Sequence, residues 1–349
     1  MKTNSSEDMQ KIIVYGAGAI GSTVAGWLAK NGEDITILAR GQNASVIKSK
    51  GLLVYQSGRK NESEPVRVEV ISDLNEMPAP DIIILAVKNY DLEPSAKDIQ
   101  QKITSNPVII ALQNGMENQK FLPQIFKRTI YGVVCYNAWR DGPGIFGYQT
   151  QGKILFGALD PSMKQNLDNV VRRIFKPAFS CESTDRLKDA VQCKIVINLV
   201  NSVLALVGHG VREVRNQELL RKIIINTLCE GIQTLQMAGV REVPLGDVPS
   251  WETIKFGAKL PGFIANMIFK KNFRKMQISS MAQDLFVLHK NTTELDSLNG
   301  YIVGLANAIG FDARFNKAIY EIAGREFHKP DYYPMEVADL WRKIEERIS

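Results

Sequence analysis

Apolar residues fall in two different rhythms along this chain. Residues 11–15, 34–39, 81–87 and 108–112 are short runs dense in Ile, Val and Leu, with the length and composition of strands buried on both faces. Between the first two, Ile20, Val24, Ala25, Trp27 and Leu28 recur at helical spacing until Asn31-Gly32 stops them. A second helix is expected over 92–103. Strands alternating with helices predict a parallel sheet, joined by right-handed crossovers and covered on both faces. Three further strands are expected at 131–136, 144–148 and 153–158, separated by Asp141-Gly142-Pro143 and Gln151-Gly152. They read as antiparallel additions at one end of the sheet.

Beyond Arg186 the strand signal nearly vanishes, and helical periodicity runs through 188–207, 216–238, 251–269, 294–309 and 317–326. The expected class is therefore α/β, an N-terminal doubly wound Rossmann sheet followed by an all-α C-terminal domain. A boundary is expected within 182–187. It divides a nucleotide-binding domain over 11–183 from a helical domain over 184–349, with residues 1–10 a polar, disordered tail.

Composition narrows the class of partner. With 349 residues, 45% hydrophobic and 23% charged, the chain has the makeup of a globular protein of about two domains. Its net charge of +6 is interspersed, with no basic block longer than Lys270-Lys271, so nucleic-acid binding is not expected. The longest apolar runs, such as 82–87 and 196–200, fall far short of the ~20 residues that cross a bilayer. No membrane partner is expected. Cys135, Cys181, Cys193 and Cys229 show neither a Cys-x-x-Cys pair nor metal-ligand spacing with histidine, so neither disulfides nor a metal site is expected. The start lacks a secretory pattern, and a cytoplasmic location follows as the expectation. His209, His289 and His328 have no partner spacing and read as packing or surface residues.

The first strand opens directly into Gly16-Ala17-Gly18-Ala19-Ile20-Gly21, and a helix begins within that loop. Three glycines in six residues are weak evidence alone, but this placement is the one a dinucleotide pyrophosphate requires. The first glycine permits the tight turn, the second a close backbone approach, and the third close packing of helix on strand. The helix N-terminus supplies unpaired N–H groups to the phosphates. At the end of the second strand, where an NAD site usually carries an acid, the chain has Arg40. A guanidinium suits a 2′-phosphate and a carboxylate repels it, so NADP is expected over NAD. Lys88, at the end of the 81–87 run, points to the same sheet edge as a second cofactor contact. Read blandly, Arg40 is a solvated turn residue and Lys88 an ordinary surface lysine.

At this point the sequence resembles the ketopantoate reductases (2-dehydropantoate 2-reductases) over nearly its whole length. The resemblance is carried by the glycine loop, Ala86-Val87-Lys88, Gln113-Asn114-Gly115-Met116, and Ser279-Ser280-Met281-Ala282-Gln283-Asp284 followed by Thr293-Glu294-Leu295-Asp296 and Asn299-Gly300. It implies NADPH-dependent reduction of a small 2-oxo acid to a 2-hydroxy acid, with 2-dehydropantoate the first candidate. It also implies that Lys194 is the proton donor, that Glu294 works beside it, that Asn198 and Ser280 bind substrate, and that Asn114 serves cofactor and substrate.

The residue types suit that chemistry. Hydride arriving at a ketone carbon leaves negative charge on oxygen, where an ammonium can stabilise it and donate a proton. Lys194, Asn198 and Asn201 lie at i, i+4 and i+7, one stripe of an otherwise apolar helix, where burial without partners is costly. Such a stripe is expected to line a cleft with Asn201 as a further substrate contact, although a solvated face would show the same pattern. Glu294 taken alone would be a helix-start charge, with Thr292 or Thr293 as cap.

Three features depart from the family: the asparagines follow the lysine by four and seven residues instead of four and eight, His209 to Val214 lacks the usual Pro-Asn-Gly-Glu, and the span from Ser280 to Glu294 is about two residues long. All three touch the substrate side. A different small oxo or hydroxy acid therefore stands as the alternative, with a nucleotide sensor lacking turnover behind it; a sensor has no need of Lys194 and Glu294. The helical domain offers a surface for a homodimer, though nothing in the sequence requires one.

Overall fold

The computed structural model describes residues 10–290 and 292–349. The expected tail over 1–10 lies, apart from Gln10, outside the described residues. The chain divides into two compact units, one ending at Leu187 and the other spanning Lys188–Ser349.

The first unit holds strands β1 (Ile12–Tyr15), β2 (Ile35–Leu38), β3 (Leu53–Gln56), β4 (Glu69–Ile71), β5 (Ile82–Leu85), β6 (Val108–Ala111), β7 (Thr129–Val134), β8 (Ala138–Gly142), β9 (Ile145–Tyr148), β10 (Gly152–Gly157) and β11 (Ser180–Ser183). Eight of them form one sheet in the order β11-β10-β7-β6-β5-β1-β2-β4. Its run from β4 through β7 is wholly parallel, and β10 pairs antiparallel with β7 but parallel with β11. Every residue of β1, β2, β5 and β6 is buried, as a sheet covered on both faces demands. The order of its parallel part is that of a dinucleotide-binding sheet, reversing direction at β1.

The strands after Ile130 differ from expectation. Only β10 extends the main sheet antiparallel, whereas β8 and β9 pair with β3 in a separate sheet of three, order β3-β9-β8. Trp27 explains the placement. Its ring meets Tyr136, Tyr148 and Phe179 with centroids 4.9, 5.0 and 5.3 Å away, so the aromatic residues around this second sheet pack on the back of the Ala19–Lys30 helix.

The second unit is helical among the described residues. The expected helix over 188–207 forms as Leu187–Asn198 and Val200–Val207, with a turn at Leu199. Taken together, Leu187–Val207 is 21 residues, long and apolar enough by composition to cross a membrane, although Lys188, Asp189, Gln192, Lys194, Asn198 and Asn201 interrupt its apolar runs. Yet 72% of its most apolar window is buried inside the protein, the environment of a core helix. The expected helix over 251–269 is broken into Trp251–Lys259 and Gly262–Phe273, because Pro261 forces Leu260 into an extended conformation at ψ 147°. A last helix, Val337–Ile348, buries Val337, Leu340 and Ile344 and was not among the expected elements.

Candidate active site

The cofactor candidates assemble at the carboxyl edge of the parallel strands. Tyr15 of β1 stands opposite Leu38 and Leu85, and Leu85 opposite Ala111, so Gly16, Ala39, Ala86 and Leu112 leave the sheet side by side. This lines up the glycine loop, Arg40, Lys88 and Asn114 along the edge where doubly wound sheets take ligands. Hydrogen bonds hold the strand ends in step: Ala86 N donates to Tyr15 O at 2.9 Å, Leu112 N to Leu85 O at 3.1 Å, and the Gln113 Nε2 to Leu85 O at 2.7 Å. Asn89 Nδ2 donates to Asn114 O at 2.6 Å and joins the two motif loops.

The three glycines of the loop are not equivalent. Gly16 adopts φ +112°, and a Cβ there would sit 3.1 Å from the Ala86 carbonyl group. At Gly21 a Cβ would lie 2.0 Å from the Gly16 carbonyl oxygen, so the fold itself requires both glycines. Gly18 has an ordinary φ of −80°, and a Cβ there would meet nothing within 4 Å. Among the described residues no neighbouring atom demands glycine at that position. The Ala19–Lys30 helix starts beside it with no side-chain cap and no acid in its first turn. Unpaired N–H groups and a bare backbone are what a pyrophosphate needs, and the loop fits a dinucleotide.

Arg40 follows β2 and is exposed at the start of the Gly41–Lys50 helix. Its charge reaches Tyr15, whose hydroxyl donates to Asp98 Oδ2 at 2.8 Å. Burial, then that hydrogen bond, pushes the Tyr15 pKa up, and Arg40 opposes the rise. One loop contact escaped the sequence reading. Asn43 Nδ2 donates to Ala17 O at 2.9 Å, a link visible only once the helix after β2 is in place.

In the second unit Lys194 is half-buried between buried Cys193 and Ile195, while Asn198 is 9% exposed and Asn201 half-buried. Two ties organise the neighbourhood. Gln192, two residues before the lysine, donates from Nε2 to the Tyr301 hydroxyl at 2.6 Å, fixing the lysine helix to the helix that follows Glu294. Ser279 Oγ donates to Asn201 O at 3.4 Å and accepts from Ala282 N at 3.2 Å, so it caps the turn opened by Ser280 and joins it to the lysine stripe.

Glu294 is 5% exposed and sits just ahead of the helix, not within its first turn as expected. Of the two expected caps, Thr293 accepts from Leu295 N at 3.3 Å. Both segments of the C-terminal motif contain a π turn, Gln283–Val287 and Asp296–Gly300, a feature frequent at functional sites and invisible to a 3.6-residue period. His209 is buried with its ring 4.6 Å from Phe273, and burial lowers its pKa. No metal-holding group of His, Cys, Asp or Glu occurs among the described residues.

Comparison with known families agrees with this geometry in both units. Residues 12–161 match the model of ketopantoate reductase PanE/ApbA, and residues 187–325 match that of its C-terminal domain. The chain belongs to the ketopantoate reductase family. The 2-dehydropantoate 2-reductase of Pyrococcus abyssi is 27% identical over 319 residues, covering 90% of this chain and 98% of that protein. Among solved structures, a PanE/ApbA family ketopantoate reductase from Ralstonia eutropha is similar with TM-score 0.70 and 23% identity over 91% of this chain and 98% of its own. D-mandelate dehydrogenase in its ternary structure with NADH and anilino(oxo)acetate has TM-score 0.73 and 20% identity, over 91% and 98%. This member of the family is an oxidoreductase acting on CH–OH groups, and its chemistry is oxo acid reduction of the 2-dehydropantoate 2-reductase type.

Proposed function

We propose that the protein is an NADPH-dependent reductase of a small 2-oxo acid, with 2-dehydropantoate its first substrate and pantoate the product. The observation that carries the reading is Lys194, a half-buried ammonium on a helix whose adjoining side chains are buried, in line with Asn198 and Asn201. Gly16 to Gly21, with Lys88 and Asn114, would hold the dinucleotide, and Arg40 its 2′-phosphate. When bound, NADPH supplies the hydride. Lys194 donates the proton that the carbonyl oxygen needs as charge grows on it, and its positive charge stabilises that oxygen beforehand. Glu294 accepts from a substrate hydroxyl or orients Lys194. Ser280, Asn114, Asn198 and Asn201 bind and orient the acid.

A second reading, another 2-oxo acid with NADH, is favoured by one observation: the D-mandelate dehydrogenase similar in fold was solved with NADH. Cofactor oxidation with a panel of 2-oxo acids, each run with NADPH and with NADH, separates the two. The proposal predicts the highest kcat/KM for 2-dehydropantoate with NADPH. Tight NADPH binding with no acid reduced would refute catalysis.

A further inference from the structure

The turn between β8 and β9 reaches the glycine loop through one side chain. Asn43 donates from Nδ2 to Ala17 O at 2.9 Å, and its Oδ1 accepts from Gly144 N at 2.8 Å. A carboxamide can donate and accept at its two ends at once, which a carboxylate cannot. Gly144 has φ +69°, and a Cβ there would lie 2.9 Å from Val46 Cγ1, so the turn is seated on the same Gly41–Lys50 helix that carries Asn43. The small sheet, the helix after β2 and the cofactor loop therefore meet at one amide. The Ala17–Gly18 peptide is planar and trans, so its C=O and the Gly18 N–H point in opposite directions. Tethering the carbonyl toward Asn43 aims that N–H away from it.

We infer that Asn43 is a positioning residue for the dinucleotide: by fixing the Ala17–Gly18 peptide plane against the β8–β9 turn, it presets the Gly18 N–H as a pyrophosphate donor. The inference rests on the dinucleotide reading of the loop. Asn43 acts on the part shared by NADPH and NADH, whereas Arg40 acts on the 2′-phosphate alone.

The test is calorimetric binding of NADPH and NADH to Asn43→Ala and Asn43→Asp, with the NMR order parameter of the Gly18 amide measured on the nucleotide-free proteins. Asn43→Ala should weaken both nucleotides equally, by about tenfold, equivalent to roughly 1.4 kcal/mol. The KM for cofactor should rise with it while kcat holds, and the Gly18 order parameter should fall. Asn43→Asp keeps the acceptor for Gly144 but cannot donate to Ala17, and should bind at least as weakly as the alanine variant. Gly144→Ala, which displaces the turn from the other side, should lose affinity in the same ratio for both nucleotides. Unchanged affinity in folded Asn43→Ala, or a loss confined to NADPH, overturns the inference. If the unaltered protein bound neither nucleotide, the cofactor reading would fail, and an unchanged Gly18 order parameter would separately overturn the role of Asn43.

Discussion

The proposed chemistry rests on backbone around the glycine loop and on side chains of a stripe in the helical unit. Gly16 and Gly21 are glycine because neighbouring protein atoms leave no room for a Cβ, and Gly18 stands open for a ligand. Around Lys194, Asn198, Asn201 and Ser280, ties run from Gln192 to Tyr301 and from Ser279 to the Asn201 carbonyl oxygen. A backbone site tolerates few changes of sequence and serves any dinucleotide. A side-chain site can be retuned by single substitutions on fixed helices, and the departures expected from the family's pattern fall on that side.

The largest expected effect lies in the side-chain half. Lys194→Ala should lower kcat by about 10² to 10⁴ while leaving NADPH affinity unchanged, since general acid catalysis contributes in that range. A matching loss of NADPH affinity would break the division between the two halves. Arg40→Ala should weaken NADPH by about tenfold to a hundredfold, the worth of a charge-assisted hydrogen bond, and leave NADH nearly untouched. Equal losses for the two nucleotides would remove the 2′-phosphate from its role.

Within the backbone half, Gly18→Ala and Gly21→Ala should part company. The first should keep its Tm and bind nucleotide about tenfold more weakly, whereas the second should lose about 1–3 kcal/mol of stability or more through overpacking. If Gly18→Ala also unfolded early, the loop would be shaped by the fold alone.

The smallest effect concerns pH. Burial holds the His209 pKa below its ordinary value, so the unfolded chain binds the proton more readily than the folded one. Its stabilising contribution is full above the unfolded value near 6.5 and is lost as pH falls toward the lower folded value. Thermal melts taken from about pH 7.5 down to about pH 5.5 should show a falling Tm that flattens in His209→Gln, and equal slopes in the two proteins would contradict it.

The main sheet was legible because β1, β2, β5 and β6 are apolar at nearly every position, as strands covered on both faces must be. Four strands were not. β4 is three residues long, β11 buries only Cys181, β8 contains the Asp141-Gly142 turn signal, and β3 pairs with β9, far along the chain. The second sheet was misplaced for the same reason, since periodicity says which residues are buried but not against what. Lys194 and its stripe were visible as polar residues on an apolar helix. Glu294 and Ser280 gained meaning only from family resemblance, because π turns erase the spacing on which helical reasoning depends. Asn43 carried no signal at all, its partners Ala17 and Gly144 being distant in sequence.

Lys194 as proton donor in an NADPH-dependent reductase is tested most directly by initial rates with 2-dehydropantoate, measured with NADPH and with NADH for the unaltered protein and for Lys194→Ala. Turnover should be efficient, prefer NADPH and nearly vanish in the variant, with nucleotide binding intact. Equal turnover by the two proteins would contradict that role, and no reduction of 2-dehydropantoate while another 2-oxo acid is reduced with NADH would contradict the proposed substrate and cofactor.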